Sequence, residues 1–264
     1  MSRRLRELTE QKKSKGDKLL SIYTTAGFPE KDSTVDIVLN LDKAGVDFVE
    51  LGMPFSDPIA DGPVIQMASD RALHNGITTE DLFAIIKQIH LKSGIPIVLM
   101  GYFNSLLQYG VEKFIREASQ AGADGLILPD WPLEENQRYL KFLKKQDIDL
   151  IHLIAPNTKK DRIKMIDTFS SAFVYCVAYT GVTGKDNKPT PETEEFLKYL
   201  SKTLKHPWLV GFGIKSHDDY TTYGQYSDGV IIGTAFIKLL DNAPVSERKE
   251  AINNFVSDIR GKQS

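Results

Sequence analysis

The sequence predicts a (β/α)8 barrel, a closed ring of eight parallel strands surrounded by helices, also called a TIM barrel. Eight short apolar runs recur along the chain with amphipathic segments between them, and turn residues directly follow several of the runs. The length of 264 residues is close to the ~250 residues typical of this architecture. An open doubly wound sheet is the alternative fold. It usually has fewer strands and needs a glycine fingerprint after the first strand, where this chain has only Gly27.

Each predicted strand is a short apolar run, as expected of a parallel sheet that is covered on both faces. In chain order the predicted strands are Leu19–Thr25, Phe48–Leu51, Ile97–Gly101, Gly125–Leu128, Asp149–Ile154, Phe173–Ala178, Trp208–Gly211 and Gly229–Ile232.

The segments between these strands have the periodicity of helices. In Ser33–Ala44, the side chains of Val35, Val38 and Leu39 fall on one helical face. Other predicted helices are Thr79–Leu91, Leu133–Lys145, Glu192–Leu204 and an extra N-terminal helix at Met1–Ser14, which is expected to cap the bottom of the barrel. No linker or low-complexity tract interrupts the series, so a single domain is predicted over residues 1–264.

Composition narrows the class of protein. Lys and Arg total 33 against 35 Asp and Glu, a formal net charge of -2, which argues against nucleic acid or an anionic membrane as the main partner. No apolar run approaches the roughly 18 residues that a membrane helix needs. The single cysteine, Cys176, excludes an internal disulfide and suits a reducing compartment, so a cytoplasmic location is expected.

The most informative stretch runs from Phe48 to Pro63 and reads FVELGMPFSDPIADGP. It begins as an apolar strand that contains one carboxylate, Glu50, and continues as a loop that contains Asp61. A buried charge is costly unless something offsets it, so Glu50 is either half of a structural ion pair or a working acid/base. Because barrel enzymes carry their active sites at the C-terminal ends of the strands, the positions of both carboxylates favour catalysis.

Glycines after three late strands indicate a phosphate site. They are Gly181 and Gly184 in GVTG, Gly211 and Gly213 in GFGI, and Gly233 in IIGTAF. Barrels commonly hold a phosphate on backbone N–H groups after strands seven and eight, and Thr234 would add a hydroxyl at a helix N-terminus. Any one of these glycines alone would be read as a turn residue, but three successive loops favour phosphate binding.

Several other chemistries are disfavoured. The five histidines show no metal-ligand spacing with each other or with Cys176, so no metal site is predicted. No predicted strand contains a lysine, which argues against a Schiff-base aldolase. Proton transfer by carboxylates on a small phosphorylated molecule is the remaining interpretation.

The motif ELGMPFSDPIADGPVIQ closely resembles the signature of the tryptophan synthase alpha-subunit family. TAGFP, LMGYFN, LPDWPLEE, AYTGVTG and GFGI, which follow five of the other strands, resemble that family too, in the same order. The resemblance implies a TIM-barrel lyase that cleaves indole-3-glycerol phosphate to indole and glyceraldehyde 3-phosphate without a cofactor of its own. It also implies a tryptophan synthase beta subunit as partner, which carries pyridoxal phosphate and joins the indole to serine in an alpha2-beta2 assembly.

The resemblance also implies roles for residues at the indole end of the site. Glu50 would protonate the indole C3 carbon and accept the proton of a substrate hydroxyl. Asp61 would accept a hydrogen bond from the indole N–H and stabilise the positive charge that develops on the ring. Tyr175 is expected near the glycerol chain, and Tyr102 is expected to line the site from strand three. Thr183 would close over Asp61.

Four further residues match the family's phosphate positions: Gly184, Gly213, Gly233 and Thr234. Thr234 stands where serine is commoner, which keeps the hydroxyl. Loop six, Ala178 to Pro189, is expected to be a lid.

The expected partner face includes Pro54–Asp57, Asn104 and Pro129–Pro132, with Trp131 as an apolar anchor. Phe28 stands where the family often has aspartate, either altering contact with the partner or packing locally.

Three rival functions stay open on the sequence. One is another phosphate-binding barrel enzyme, such as an isomerase or indole-glycerol phosphate synthase, although the synthase would be expected to have a lysine in its strands. Another is an alpha-subunit homologue that releases free indole without a partner. The third is a catalytically silent barrel that binds or activates another protein, against which intact Glu50 and Asp61 argue.

Overall fold

A computed structural model describes residues 4–177, 189–211 and 213–261 of the chain. Over these residues nine parallel strands form one sheet in the order β5-β4-β3-β2-β1-β9-β8-β7-β6. The strands are β1 (Leu19–Thr25), β2 (Phe48–Gly52), β3 (Ile97–Met100), β4 (Gly125–Ile127), β5 (Asp149–Ile151), β6 (Leu153–Ile154), β7 (Val174–Val177), β8 (Trp208–Gly211) and β9 (Gly229–Ile232).

The ring closes through the fifth predicted strand, which the structure divides in two at His152. β5 pairs with β4 on one side, whereas β6 pairs with β7 on the other. The carbonyl of His152 accepts a hydrogen bond of 3.0 Å from the backbone N–H of Tyr175, so the change of partner falls at this residue. One extended segment therefore joins both ends of the sheet, and the predicted TIM barrel is confirmed.

Helices surround the strands. They are α1 (Arg4–Lys15), α2 (Thr34–Ala44), α3 (Pro63–His74), α4 (Thr79–His90), α5 (Phe103–Tyr109), α6 (Val111–Ala121), α7 (Leu133–Asn136), α8 (Leu140–Lys145), α9 (Lys160–Phe169), α10 (Pro191–Thr203), α11 (His217–Gly224), α12 (Thr234–Asn242) and α13 (Arg248–Arg260). The single helix predicted at Leu133–Lys145 is instead α7 and α8 with a 3-10 turn, Gln137–Tyr139, between them. No helix within the described ranges is long and apolar enough to cross a membrane.

The extra N-terminal helix closes the bottom of the barrel. Leu5 of α1 is fully buried and belongs to the cluster that fills the barrel interior, with Phe48 and Phe173 among its members. Charged residues of the same helix pair with carboxylates near the N-terminal ends of strands: Arg4 with Asp124, Arg6 with Asp149, Lys12 with Asp47 and Lys13 with Asp228. The helix is thus fixed at the end of the barrel opposite the predicted site.

Candidate active site

Glu50 is a fully buried carboxylate in the middle of β2, all of whose residues are buried. Neither of its carboxylate oxygens has a hydrogen-bond partner within the described residues. Burial disfavours the charged form and raises the pKa of Glu50 to about 8. A carboxyl group with this pKa carries its proton at neutral pH and can give it up and take it back, as an acid/base catalyst must.

Two buried tyrosines accompany Glu50 inside the barrel. Tyr23 on β1 is the Cα partner of Glu50 in the sheet, and Tyr175 projects from β7. Burial is the main cause that raises the pKa of each phenol above its usual range, and the negative charges of Glu50 and Asp61 add to the effect. These four side chains therefore form one electrostatic cluster.

Asp61 lies half-buried on the loop after β2 and is held there by Tyr102. The phenol of Tyr102 donates a hydrogen bond of 3.0 Å to Oδ2 of Asp61 and accepts one of 2.9 Å from the backbone N–H of Ala60. The amide of Gln66 donates to the Asp61 carbonyl at 2.8 Å. Burial raises the pKa of Asp61, and the hydrogen bond from Tyr102 opposes that rise.

Asp61 and Glu50 therefore occupy different environments, which suits different roles. Among the described residues, none donates a hydrogen bond to the Glu50 carboxylate, whereas Tyr102 donates one to Asp61.

Three of the predicted phosphate residues precede or begin helices: Gly213 precedes α11, and Gly233 and Thr234 lie at the start of α12. The two helices differ in how their N-termini are capped. α11 closes its own N-terminus, since Ser216 and Asp219 form a reciprocal capping box. α12 follows Gly233, which has no side chain to cap it, so its first backbone N–H groups stay available to an anion. Thr234, its first residue, is exposed, and the Cα of Gly233 faces Tyr23 and Ile65.

Gly213 adopts a left-handed backbone conformation, with φ of 79°, in the turn after β8. This conformation favours glycine, so the residue type is explained by the turn alone. Thr183 and Gly184 lie outside the described residues, as does nearly all of the predicted lid, Ala178 to Pro189.

Comparison with known proteins identifies the family. The sequence pattern that defines "Tryptophan synthase alpha chain" matches residues 9–262. The tryptophan synthase alpha chain of Christiangramia forsetii is 42% identical over 252 residues, which is 95% of this chain and 97% of that protein.

The chain belongs to the tryptophan synthase alpha chain family.

Solved structures agree with this assignment. The tryptophan synthase subunit alpha of Legionella pneumophila str. Paris superposes with a TM-score of 0.88 at 34% identity, covering 98% of this chain and 97% of that one. A chain from the tryptophan synthase a2b2 complex of the hyperthermophile Pyrococcus furiosus gives a TM-score of 0.86 at 34% identity. The superposition covers 92% of this chain and 98% of that one. The tryptophan synthase alpha subunit cleaves indole-3-glycerol phosphate, so the predicted lyase class is confirmed.

Two side chains that the sequence associates with the partner face, those of Trp131 and Phe28, are buried. Trp131 is only 4% exposed and stacks on Phe103 with ring centres 4.5 Å apart, so the prediction of an exposed anchor was wrong. Phe28 is fully buried and packs locally, with the Arg71 guanidinium 5.4 Å from its ring centre.

Two residues that the sequence did not indicate lie beside the candidate carboxylates, Tyr23 next to Glu50 and Gln66 bonded to the backbone of Asp61. An aromatic residue in a strand is usually part of the core. The signal that marks Tyr23 is its register against Glu50, which only strand pairing reveals. Within the described part of the chain no cluster of three or more His, Cys, Asp or Glu residues could hold a metal ion.

Proposed function

We propose that Glu50 and Asp61 carry out the alpha reaction of tryptophan synthase on this chain. The observation that carries the proposal is a fully buried carboxyl group, without a hydrogen-bond partner in the described part of the chain, whose pKa of about 8 keeps it protonated at rest. Such a group can protonate a carbon atom first, which is the more demanding of the two proton transfers.

The reaction then follows in balanced steps. Glu50 gives its proton to C3 of the indole ring, and the ring becomes cationic. The resulting Glu50 carboxylate takes the proton of the side-chain hydroxyl next to the ring, and the O–H electrons form the carbonyl of glyceraldehyde 3-phosphate. The C–C bond breaks, its electrons return to the ring, and neutral indole leaves with Glu50 again protonated.

Asp61 would stabilise the cationic ring. Because Tyr102 occupies Oδ2 and favours the ionised form, Oδ1 is the oxygen suited to accept the indole N–H. Electrostatic stabilisation by a fixed group of this kind typically contributes about 10²–10³-fold in rate. Tyr175 would contact the glycerol chain, and Thr183 would close over Asp61.

The phosphate would bind at the start of α12. The uncapped N–H groups after Gly233 and the hydroxyl of Thr234 supply donors, and the helix dipole favours a negative charge there. Gly213 and Gly184 would complete the phosphate site from neighbouring loops.

A beta subunit would cover the mouth of the barrel. Pro54, Asp57 and Asn104 lie together on a groove at the C-terminal face, where indole leaves. The related Pyrococcus furiosus protein was solved as an a2b2 complex, which supports the same assembly for this chain. Pyridoxal phosphate would belong to that partner, and this chain would work without a cofactor, as one domain in the cytoplasm.

The test measures indole release from indole-3-glycerol phosphate by wild type and by Glu50→Gln, each with and without a beta subunit. The amide keeps the shape of the side chain but cannot accept a proton, so we expect activity to fall by at least about 10²–10⁴-fold. A matched change of an exposed glutamate, Glu10→Gln on α1, should leave the rate unchanged. Normal turnover by Glu50→Gln would refute the assignment, and no turnover by wild type would indicate a silent barrel.

A further inference from the structure

Tyr23 lies on the strand beside the candidate acid/base, and its ring extends toward the barrel mouth. The residue is 6% exposed, and its Cα partner on β2 is Glu50. Its hydroxyl occupies the space beside Gly52, where a β-carbon would collide with it. Gly52 is two residues beyond Glu50 on the same strand face and nearer the C-terminal end. The hydroxyl therefore lies between Glu50 and the opening through which substrate enters.

The hydrogen bonding of this hydroxyl leaves its proton available. Oγ1 of Thr25 donates to the Tyr23 oxygen at 3.3 Å. Within the described ranges, Thr25 is the only hydrogen-bond partner of the phenol. The oxygen already accepts one hydrogen bond, so Tyr23 can act as a donor to a bound molecule.

Charge and burial keep Tyr23 in its donating form. Its pKa lies above the usual range, first because of burial and then because of the negative charge of Asp61 and, less, of Glu50. The phenol therefore stays protonated wherever the two carboxylates work. Tyr102, the other phenol beside Asp61, already donates to that carboxylate, so it cannot serve in the same way.

We infer that the Tyr23 hydroxyl donates a hydrogen bond to the substrate hydroxyl that Glu50 deprotonates. This inference rests on the proposed function, which places the indole nitrogen at Asp61, the phosphate at α12 and the reacting hydroxyl at Glu50. As the O–H proton passes to Glu50 and the carbonyl forms, negative charge builds on the oxygen, and a fixed donor stabilises it. The proton of Tyr23 is shared and not transferred. Tyr23 thereby selects a substrate with an oxygen at this carbon.

The experiment compares two ligands that differ only at this oxygen and its neighbour. Indole-3-propanol phosphate has the ring and the phosphate of the substrate but neither side-chain hydroxyl. Calorimetry in the turnover-blocked Glu50→Gln background measures the affinity of both compounds. Adding Tyr23→Phe should weaken the binding of indole-3-glycerol phosphate by about 10-fold, the value of one good hydrogen bond. The affinity for the propanol compound should change by less than about 2-fold.

Two further variants separate hydrogen bonding from packing. Tyr220→Phe removes a phenol at the bottom of the barrel, where it bonds Lys18 and Arg260, and should alter the affinity for neither ligand. Thr25→Val should show the same selective loss as Tyr23→Phe but smaller, and Thr25→Ser should restore affinity because it keeps the donor.

Equal loss for both ligands, or no loss for either, overturns the inference, because packing alone would act on both. The two proposals fail separately. Retained turnover by Glu50→Gln refutes the assignment of the catalyst, whereas an inactive Glu50→Gln without ligand selectivity at Tyr23 refutes only the role of Tyr23.

Discussion

Glu50 destabilises the fold when it is charged, and the same burial makes it a usable acid. Its pKa is about 8 in the folded chain, against 4.5 for an ordinary glutamate. Between these two values the folded state keeps a proton that the unfolded state releases. Raising the pH through this window therefore favours unfolding, by up to roughly 1.4 kcal/mol for each pH unit.

Glu50→Gln should consequently be more stable than wild type at pH 8 and equally stable at pH 4. At pH 8 the free energy of unfolding should rise by about a few kcal/mol at most, since the neutral amide has no charge to bury. Urea unfolding curves at several pH values measure the difference. Glu10→Gln, an exposed change on α1, should show no such pH dependence. A gain that is the same at pH 4 and pH 8 would show that burial of charge is not its cause.

Asp61→Asn should abolish most activity while leaving the binding of glycerol phosphate unchanged. The amide cannot stabilise a cationic ring, so we expect a loss of about 10²–10³-fold, whereas the phosphate is held elsewhere. Tyr102→Phe provides the graded comparison, because it removes the hydrogen bond that lowers the pKa of Asp61. The acidic limb of its pH–rate profile should move to higher pH. If Asp61→Asn lowers the lyase activity and the affinity for glycerol phosphate equally, the division of the site into an indole end and a phosphate end is wrong.

Glu50 and Asp61 could be proposed from the sequence alone because they lie within one short local stretch. Glu50 places a charge in an apolar run, and Asp61 follows in a loop rich in proline and glycine. Tyr23 gives no such local signal, because a tyrosine fits any buried strand. Its distance from a carboxylate depends on which strands pair and in which register, and that information is not local to either segment.

At the scale of elements, α1 closes the N-terminal end of the barrel. Leu5 enters the interior cluster, while Leu8, on the same helix, is half-buried at its edge. Leu5→Ala should lower the free energy of unfolding by about 2–4 kcal/mol, through lost burial and the cavity left behind. Leu8→Ala should lower the free energy of unfolding clearly less, because Leu8 is only half-buried.

Because α1 lies at the end of the barrel opposite Glu50, kcat/KM of both variants should stay within about twofold of wild type while they remain folded. Denaturant unfolding and steady-state kinetics provide the two readouts. Equal destabilisation by the two substitutions would show that Leu5 does not fill the interior, and a selective loss of kcat/KM in Leu5→Ala would couple the two ends of the barrel.

Helix and strand positions were largely predictable, since the apolar runs and the periodic segments are strong signals. The two exceptions are both caused by tertiary contacts. Asp149–Ile154 reads as one strand, yet its hydrogen bonds change partner at His152 so that the ring can close. Trp131 reads as an exposed anchor in a loop, yet Phe103 offers it a ring to stack on. Both outcomes depend on segments distant in sequence.

For the whole molecule, the mouth of the barrel is the expected position of a partner. Indole is small and apolar and would diffuse away from an uncovered site. The loop between β2 and α3, residues 53–62, contains both the exposed Asp57 and the candidate catalytic residue Asp61. A partner that fixes Asp57 would therefore also fix the residue that stabilises the reacting ring.

We expect a purified beta subunit to raise the rate at which wild type cleaves indole-3-glycerol phosphate. Asp57→Ala should keep the basal rate within about twofold, since Asp57 is exposed, but should lose most of the stimulation if its charge pairs with a basic group of the partner. Asp70→Ala, an exposed aspartate on α3, is the matched control and should be stimulated like wild type. Titrating beta subunit against each variant separates weaker binding, which excess partner overcomes, from failed coupling, which it does not. Full stimulation of Asp57→Ala at every concentration would exclude this contact, and no stimulation of wild type would make the chain a stand-alone lyase.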